Sequence, residues 1–266
     1  MLSINKAYCM DCLEFLGQID NSSVDLAIID PPYNLNVDKW DSFPSHEHFL
    51  KFTYQWIDAL IPKLKNTGSI YIFNTPFNSA FILNYLVQKK LIFQNWITWD
   101  KRDGFSAAKR KYVNAQETIL FLTKSKNYTF NYDEIRTPYQ STERIKHAAE
   151  KGILKNGKRW YPNPKGKLCT DVWHFASERH KQKINGKTPK LPHITPKPVD
   201  LIERIVKASS NEGDLILDCF AGIGTTAIAA IKNNRNFIIN DFDPNYVKIA
   251  KQQIRQVLNT KYDVVV

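Results

Sequence analysis

Two rhythms alternate along this chain. Short apolar runs rich in β-branched and aromatic residues fall at 4–9, 24–30, 69–74, 93–99, 117–123, 215–219 and 236–240, and each predicts a strand. Between them, apolar residues three and four apart predict helices over 45–64, 78–89, 199–208, 225–232 and 244–258. Asp243-Pro244 marks the last helix start, because proline suits a first turn. Strands alternating with helices predict an α/β fold, a mostly parallel sheet with helices on both faces. From 124 to 191 the rhythm fades. That stretch is rich in turn formers such as Asn156-Gly157, Pro162-Asn163-Pro164 and Asn185-Gly186. The chain therefore reads as one α/β domain in two halves, 1–123 and 192–266, with an insert at 124–191.

Charge sharpens the view of the insert. The whole chain carries a formal +11, and residues 136–190 hold 14 Lys/Arg against 4 Asp/Glu, nearly all of that excess. The same stretch contains Trp160, Tyr161, Trp173 and Phe175. Basic residues interleaved with aromatics suit a nucleic-acid contact surface, with Lys155, Lys158 and Arg159 as candidates; a solvated flexible lobe is the bland alternative. A second cluster, Lys109-Arg110-Lys111, follows the strand at 93–99 and reads as a loop. No apolar run reaches the ~18 residues of a membrane span, and the start of the chain lacks a signal-peptide plan. With four cysteines in 266 residues there is no disulfide scaffold, so a cytoplasmic protein is expected.

Candidate chemistry lies at two strand ends. The apolar run Val24-Asp25-Leu26-Ala27-Ile28-Ile29 ends in Asp30-Pro31-Pro32-Tyr33. Two prolines stop the strand and stiffen the loop, and neither carries an N–H. A carboxylate, a fixed carbonyl and an aromatic face thus meet at the carboxyl end of a strand, where open α/β sheets bind ligands. An exocyclic amino group on a flat base fits there: its hydrogens go to Asp30 and the Pro31 carbonyl, and Tyr33 stacks on the ring.

The second end is Leu215-Ile216-Leu217-Asp218-Cys219-Phe220-Ala221-Gly222-Ile223-Gly224-Thr225-Thr226, a strand, a glycine turn and a helix start. Its glycines are expected to let backbone approach a ligand, and Thr225 or Thr226 to cap the helix. Asp241 ends the next strand, placed to accept from ribose hydroxyls. Ala227 takes the place of the third glycine of a dinucleotide loop, so an adenosyl ligand without pyrophosphate fits better than NAD.

Other chemistries fare worse. Cytosine-C5 methylation needs a nucleophilic cysteine after proline, and none of Cys9, Cys12, Cys169 or Cys219 follows one. Cys9 and Cys12 form a C-x-x-C without a second ligand pair, so no metal site is expected.

Together the two motifs are far more specific than either alone. The chain resembles the S-adenosylmethionine-dependent DNA amino-methyltransferases, which pair D-P-P-Y with F-x-G-x-G. The amino motif comes first here, as in the permuted β class, with a target-recognition region between the halves. Segments 73–78, 95–104 and 152–160 are similar to the MboII type of adenine-N6 enzyme. The resemblance implies a circularly permuted Rossmann-like sheet that holds S-adenosylmethionine. It implies that Asp30, Pro31, Pro32 and Tyr33 form the target-base site. Phe220, Gly222 and Gly224 become the cofactor loop, with Asp218, Thr225 and Thr226 beside it and Asp241 on the ribose. Asp11-Cys12 then lies against the cofactor's adenine. His193, Thr195 and Lys197 match the motif H-P-T-Q-K-P near its methionine end, with Ile194 and Pro196 as departures.

The implied reaction is methylation of adenine N6 in duplex DNA, within a restriction-modification system and at an asymmetric site such as GAAGA. A restriction endonuclease, a companion methyltransferase and a homodimer are the partners it suggests. Cytosine-N4 methylation and a nucleic-acid-binding protein with a decayed site are the alternatives.

Overall fold

The computed structural model describes residues 2–101, 109–178 and 196–263. Its strands are β1 (Lys6–Cys9), β2 (Val24–Ile29), β3 (Leu64–Asn74), β4 (Ile92–Asp100), β5 (Gln116–Thr123), β6 (Ile153–Lys155), β7 (Lys158–Trp160), β8 (Val172–His174), β9 (Leu215–Asp218) and β10 (Asn236–Asp241). The helices are α1 (Cys12–Gly17), α2 (His46–Leu60), α3 (Pro76–Gln88), α4 (Thr142–Lys151), α5 (Val199–Ser209), α6 (Thr225–Lys232) and α7 (Pro244–Asp263). Every strand and helix expected from the apolar rhythm is present.

Eight strands form one sheet in the order β1-β10-β9-β2-β3-β5-β4-β8. From β1 to β3 all neighbours run parallel. Among the described strands of this sheet only β5 is reversed: it pairs antiparallel with β3 and with β4. The carboxyl ends of the other long strands therefore share one edge with the start of β5.

Side-chain alternation builds two cores on this sheet. Leu26 and Ile28 of β2 face one way, with Tyr71 and Phe73 of β3, and pack on Leu201, Ile202 and Ile205 of α5 and on α6 and α7. Ala27 and Ile29 face the other way, with Ile70 and Ile72, against Phe15 of α1, Trp56 and Ile57 of α2, and Ile82 and Leu86 of α3. A strand apolar at both parities is what a doubly covered sheet requires. No helix among the described residues is long and apolar enough to cross a membrane.

The stretch 124–191 holds more regular structure than its rhythm suggests. Helix α4 buries only Ala148, so its apolar stripe is too thin to read in the sequence. Strands β6 and β7 form a hairpin. Strand β8 pairs with β4 and so adds an edge strand to the main sheet.

Candidate active site

Asp30 stands just beyond β2, at the carboxyl edge, and each of its carboxylate oxygens has a partner. Oδ2 accepts from Lys197 Nζ at 2.7 Å, and Oδ1 accepts from the Tyr33 hydroxyl at 2.8 Å. The same hydroxyl lies 3.1 Å from Glu117 Oε2, and Lys197 Nζ lies 3.5 Å from that oxygen. Lys101 closes the network by donating to Glu117 Oε1 at 3.0 Å. Burial pushes the Asp30 carboxyl above its ordinary range, Lys197 opposes the shift and Glu117 adds to it. Burial acts the same way on Glu117, but Lys197 and Lys101 outweigh it and hold that carboxyl low. Burial alone would lower the Lys197 pKa; Asp30 and Glu117 reverse this and raise it. The Tyr33 hydroxyl is held well above its usual pKa by burial and by both carboxylates.

The loop after Tyr33 is shaped by one buried side chain. The Asp41 carboxylate accepts the backbone N–H groups of Tyr33, Asn34 and Leu35 at 2.5–2.9 Å, and that of Val37 at 3.4 Å. From α3, Asn78 Nδ2 donates to the Tyr33 carbonyl at 2.7 Å. These contacts fix Tyr33 from both sides of its backbone.

The glycine turn after β9 differs from expectation in its details. Neither Thr225 nor Thr226 caps α6. Gly224 occupies the N-cap position with φ +88°, and the Thr226 hydroxyl instead donates to Asp218 Oδ2 at 2.6 Å. A Cβ at Gly224 would lie 2.9 Å from the Ala250 Cβ, so this glycine lets α7 approach. Gly222, at φ +50°, does line the cavity, and its N–H donates to Asp241 Oδ2 at 2.8 Å. Asp218 also accepts from the Phe220 N–H, and burial raises its carboxyl to about 7. Burial likewise pushes Asp241 up. Asp11 caps α1, a helix too short to announce itself, by accepting from the N–H groups of Leu13 and Glu14. Beside it Cys12 is buried, which raises its thiol to about 12.

Both strand ends open into a single cavity of about 400 Å³. One side is lined by Asp30, Pro31, Pro32, Tyr33, Phe73, Glu117 and Lys197. The other is lined by Asp11, Cys12, Asp218, Phe220, Gly222, Thr225, Thr226 and Asp241, with Val37, Trp40, Phe52 and Phe242 as apolar walls. That volume lies within the usual span for small-molecule sites. Several carboxylates beside apolar walls suit a flat aromatic ligand that carries hydroxyls and positive charge, which S-adenosylmethionine is.

Lys197, expected beside the cofactor's methionine end, is thus fixed on Asp30 and Glu117. His193 and Thr195 lie outside the described residues. Glu117, Lys101 and Asp41 are functional candidates that motif reading misses. Glu117 and Lys101 carry a faint signal: one opens the apolar run of β5 and the other directly follows β4.

The basic candidates lie away from this network. Lys109, Arg110 and Lys111 are exposed between β4 and β5. Lys155, Lys158 and Arg159 are exposed on the β6–β7 hairpin, whose Asn156-Gly157 turn has φ of +50° and +75°. Positive φ at both turn residues is what a two-residue hairpin needs and why Asn-Gly serves there. Trp160 and Leu154 are also exposed on this hairpin.

Comparison with known proteins agrees with this geometry. The type II methyltransferase M1.MboII of Moraxella bovis is 65% identical over 257 residues, covering 97% of this chain and 99% of that protein. The DNA adenine methyltransferase YhdJ of Escherichia coli is 32% identical, over 92% of this chain and 80% of its own. Among solved structures, the M1.HpyAVI–SAM complex has the same fold, with a TM-score of 0.63 at 23% identity, covering 94% of this chain and 98% of that one. The family described as DNA methylase, covering N6 and N4 enzymes, matches residues 24–252, and on that match and the MboII identity this chain belongs to it.

Proposed function

We propose that this protein transfers a methyl group from S-adenosylmethionine to the N6 amino group of an adenine in duplex DNA. The observation that carries this reading is the shared cavity. A strand-end carboxylate followed by two prolines faces a glycine turn backed by two acids, close enough for two ligands to meet.

Each residue then has a defined task. An exocyclic amine is a weak nucleophile because its lone pair is delocalised into the ring. Asp30 and the Pro31 carbonyl accept one amine hydrogen each and draw the nitrogen toward tetrahedral geometry, which frees the lone pair. Groups that bind this geometry better than the planar one lower the barrier. When bound, the cofactor supplies an electrophilic methyl on a sulfonium. Asp241 accepts from its ribose hydroxyls, Phe220 and Cys12 flank its adenine, and the Gly222 backbone admits it. Asp218 holds the turn in place through the Phe220 N–H and the Thr226 hydroxyl. A duplex base reaches the sheet edge only by flipping out, at a cost of a few kcal/mol, and Tyr33 stacking offsets about 1–3 kcal/mol of it.

Lys109, Arg110, Lys111, Lys155, Lys158 and Arg159 meet the phosphate backbone. The enzyme works in the cytoplasm as the modification half of a restriction-modification system. An asymmetric target such as GAAGA, a cognate endonuclease, a companion methyltransferase for the other strand and a homodimer complete the reading. The test is single-molecule sequencing of DNA from cells that express this chain. The expected result is N6-methyladenine in one short context; methyl groups on cytosine N4, or none, overturn the reading.

A further inference from the structure

Both donors that hold Asp30 are shared with a second carboxylate. Lys197 Nζ is 2.7 Å from Asp30 and 3.5 Å from Glu117; the Tyr33 hydroxyl is 2.8 Å from Asp30 and 3.1 Å from Glu117. Glu117 is anchored from behind by Lys101. Reversal of β5 is what brings this about. Asn74, the last residue of β3, pairs with Thr118, so the start of β5 lies at the edge where β2 ends.

We propose that Glu117 is a positioning residue for methyl transfer: it takes over the Lys197 ammonium and the Tyr33 hydroxyl when the target amine docks on Asp30. This rests on the function proposed above. An incoming amine hydrogen competes with two resident donors for the Asp30 oxygens. Displacing a buried ammonium without a second partner is strongly unfavourable. With Glu117 already at 3.5 Å, a normal charged contact needs a shift of only about 0.7 Å. Tyr33 has one hydroxyl hydrogen and two acceptors in reach, so its exchange is a rotation about one C–O bond. Asp30 then presents its oxygens to substrate, while the lysine charge never stands unpaired.

The titratable groups around Asp30 are Tyr33 on its own loop, Glu117 on β5, Lys197 ahead of α5 and Asp218 on β9, with Lys101 behind Glu117. Negative charge at Glu117 raises the Asp30 pKa and Lys197 lowers it. Removing the Glu117 charge leaves the lysine wholly on Asp30.

Single-turnover methyl transfer on duplex DNA, with the full chain and radiolabelled S-adenosylmethionine over a range of pH, tests this. Glu117→Gln is expected to slow transfer at least about tenfold with unchanged cofactor and duplex affinity, and to move the acid limb of the rate profile to lower pH. Glu117→Asp, which keeps the charge, is expected to leave that limb in place. The double variant Glu117→Gln/Lys197→Met should be no slower than Lys197→Met alone. A wild-type rate for Glu117→Gln, or a slow variant with an unmoved limb and effects additive with Lys197, overturns the inference alone. A wild-type protein that labels no duplex amine overturns the underlying function and this inference with it.

Discussion

The carboxyl edge of the sheet and the hairpin of β6 and β7 use positive charge in opposite ways. At the edge, the Lys197 side chain is 7% exposed and lies against two carboxylates. On the hairpin, Lys155, Lys158 and Arg159 are exposed. A buried charge persists only when paired, so Lys197 is tied to the positions of its two carboxylates. An exposed lysine contributes a field and little geometry. Chemistry at the edge should therefore fail at single atoms, whereas attraction at the hairpin should fade residue by residue.

Variants can break that contrast. The largest effect is expected from Asp30→Ala: methyl transfer is lost while cofactor affinity stays, read by labelled-methyl incorporation beside calorimetry. Surviving turnover would remove Asp30 from the reaction. Asp241→Ala should weaken cofactor binding by roughly 10- to 100-fold, the worth of one or two hydrogen bonds to a charged group; unchanged affinity would take it off the ribose. Replacing Lys155, Lys158 and Arg159 together should lower the slope of log affinity against log salt by about 2.7 while transfer at saturating duplex persists. An unaltered slope would place the DNA elsewhere.

The smallest effect concerns protons stored at the edge. Asp218 has its carboxyl raised to about 7 by burial, against an ordinary value near 3.9. Between those values the folded state holds a proton that the unfolded state has released, so stability falls as pH rises through that window. Asp218→Asn should flatten the fall in melting temperature of the ligand-free protein by a few degrees. Parallel curves for variant and wild type would locate the proton elsewhere.

Both motifs and the two-sided sheet were legible because they depend on local order: an apolar run, a stop, a carboxylate. Glu117 was not, because its importance comes from strand direction. A direct link from β4 to β5 without a helical rhythm in 101–115 argues for an antiparallel pair, since parallel neighbours need a crossover. Read that way, a charged residue at the start of β5 falls at the reacting edge. Asp41 was hidden for a different reason: its role is to gather backbone N–H groups, which leaves no spacing signature. At Gly224 the sequence does not distinguish two demands, since helix packing and ligand approach both select glycine, and the approach of Ala250 is visible only in the fold. The hairpin turn was plain in Asn156-Gly157, but a strand of three residues such as β8 is too short for periodicity to mark.

That short strand has an evolutionary consequence. The chain departs from the sheet at Thr123, at the rim remote from the cavity, and is stitched back alongside β4 at Val172. Between those points the chain is held to the same frame by Asn131, on the Lys207 and Ser210 carbonyls, and by Tyr128, on Gln94 of β4. The exposed hairpin of β6 and β7, carried on that span, can be rewritten without disturbing the alignment of the atoms that react.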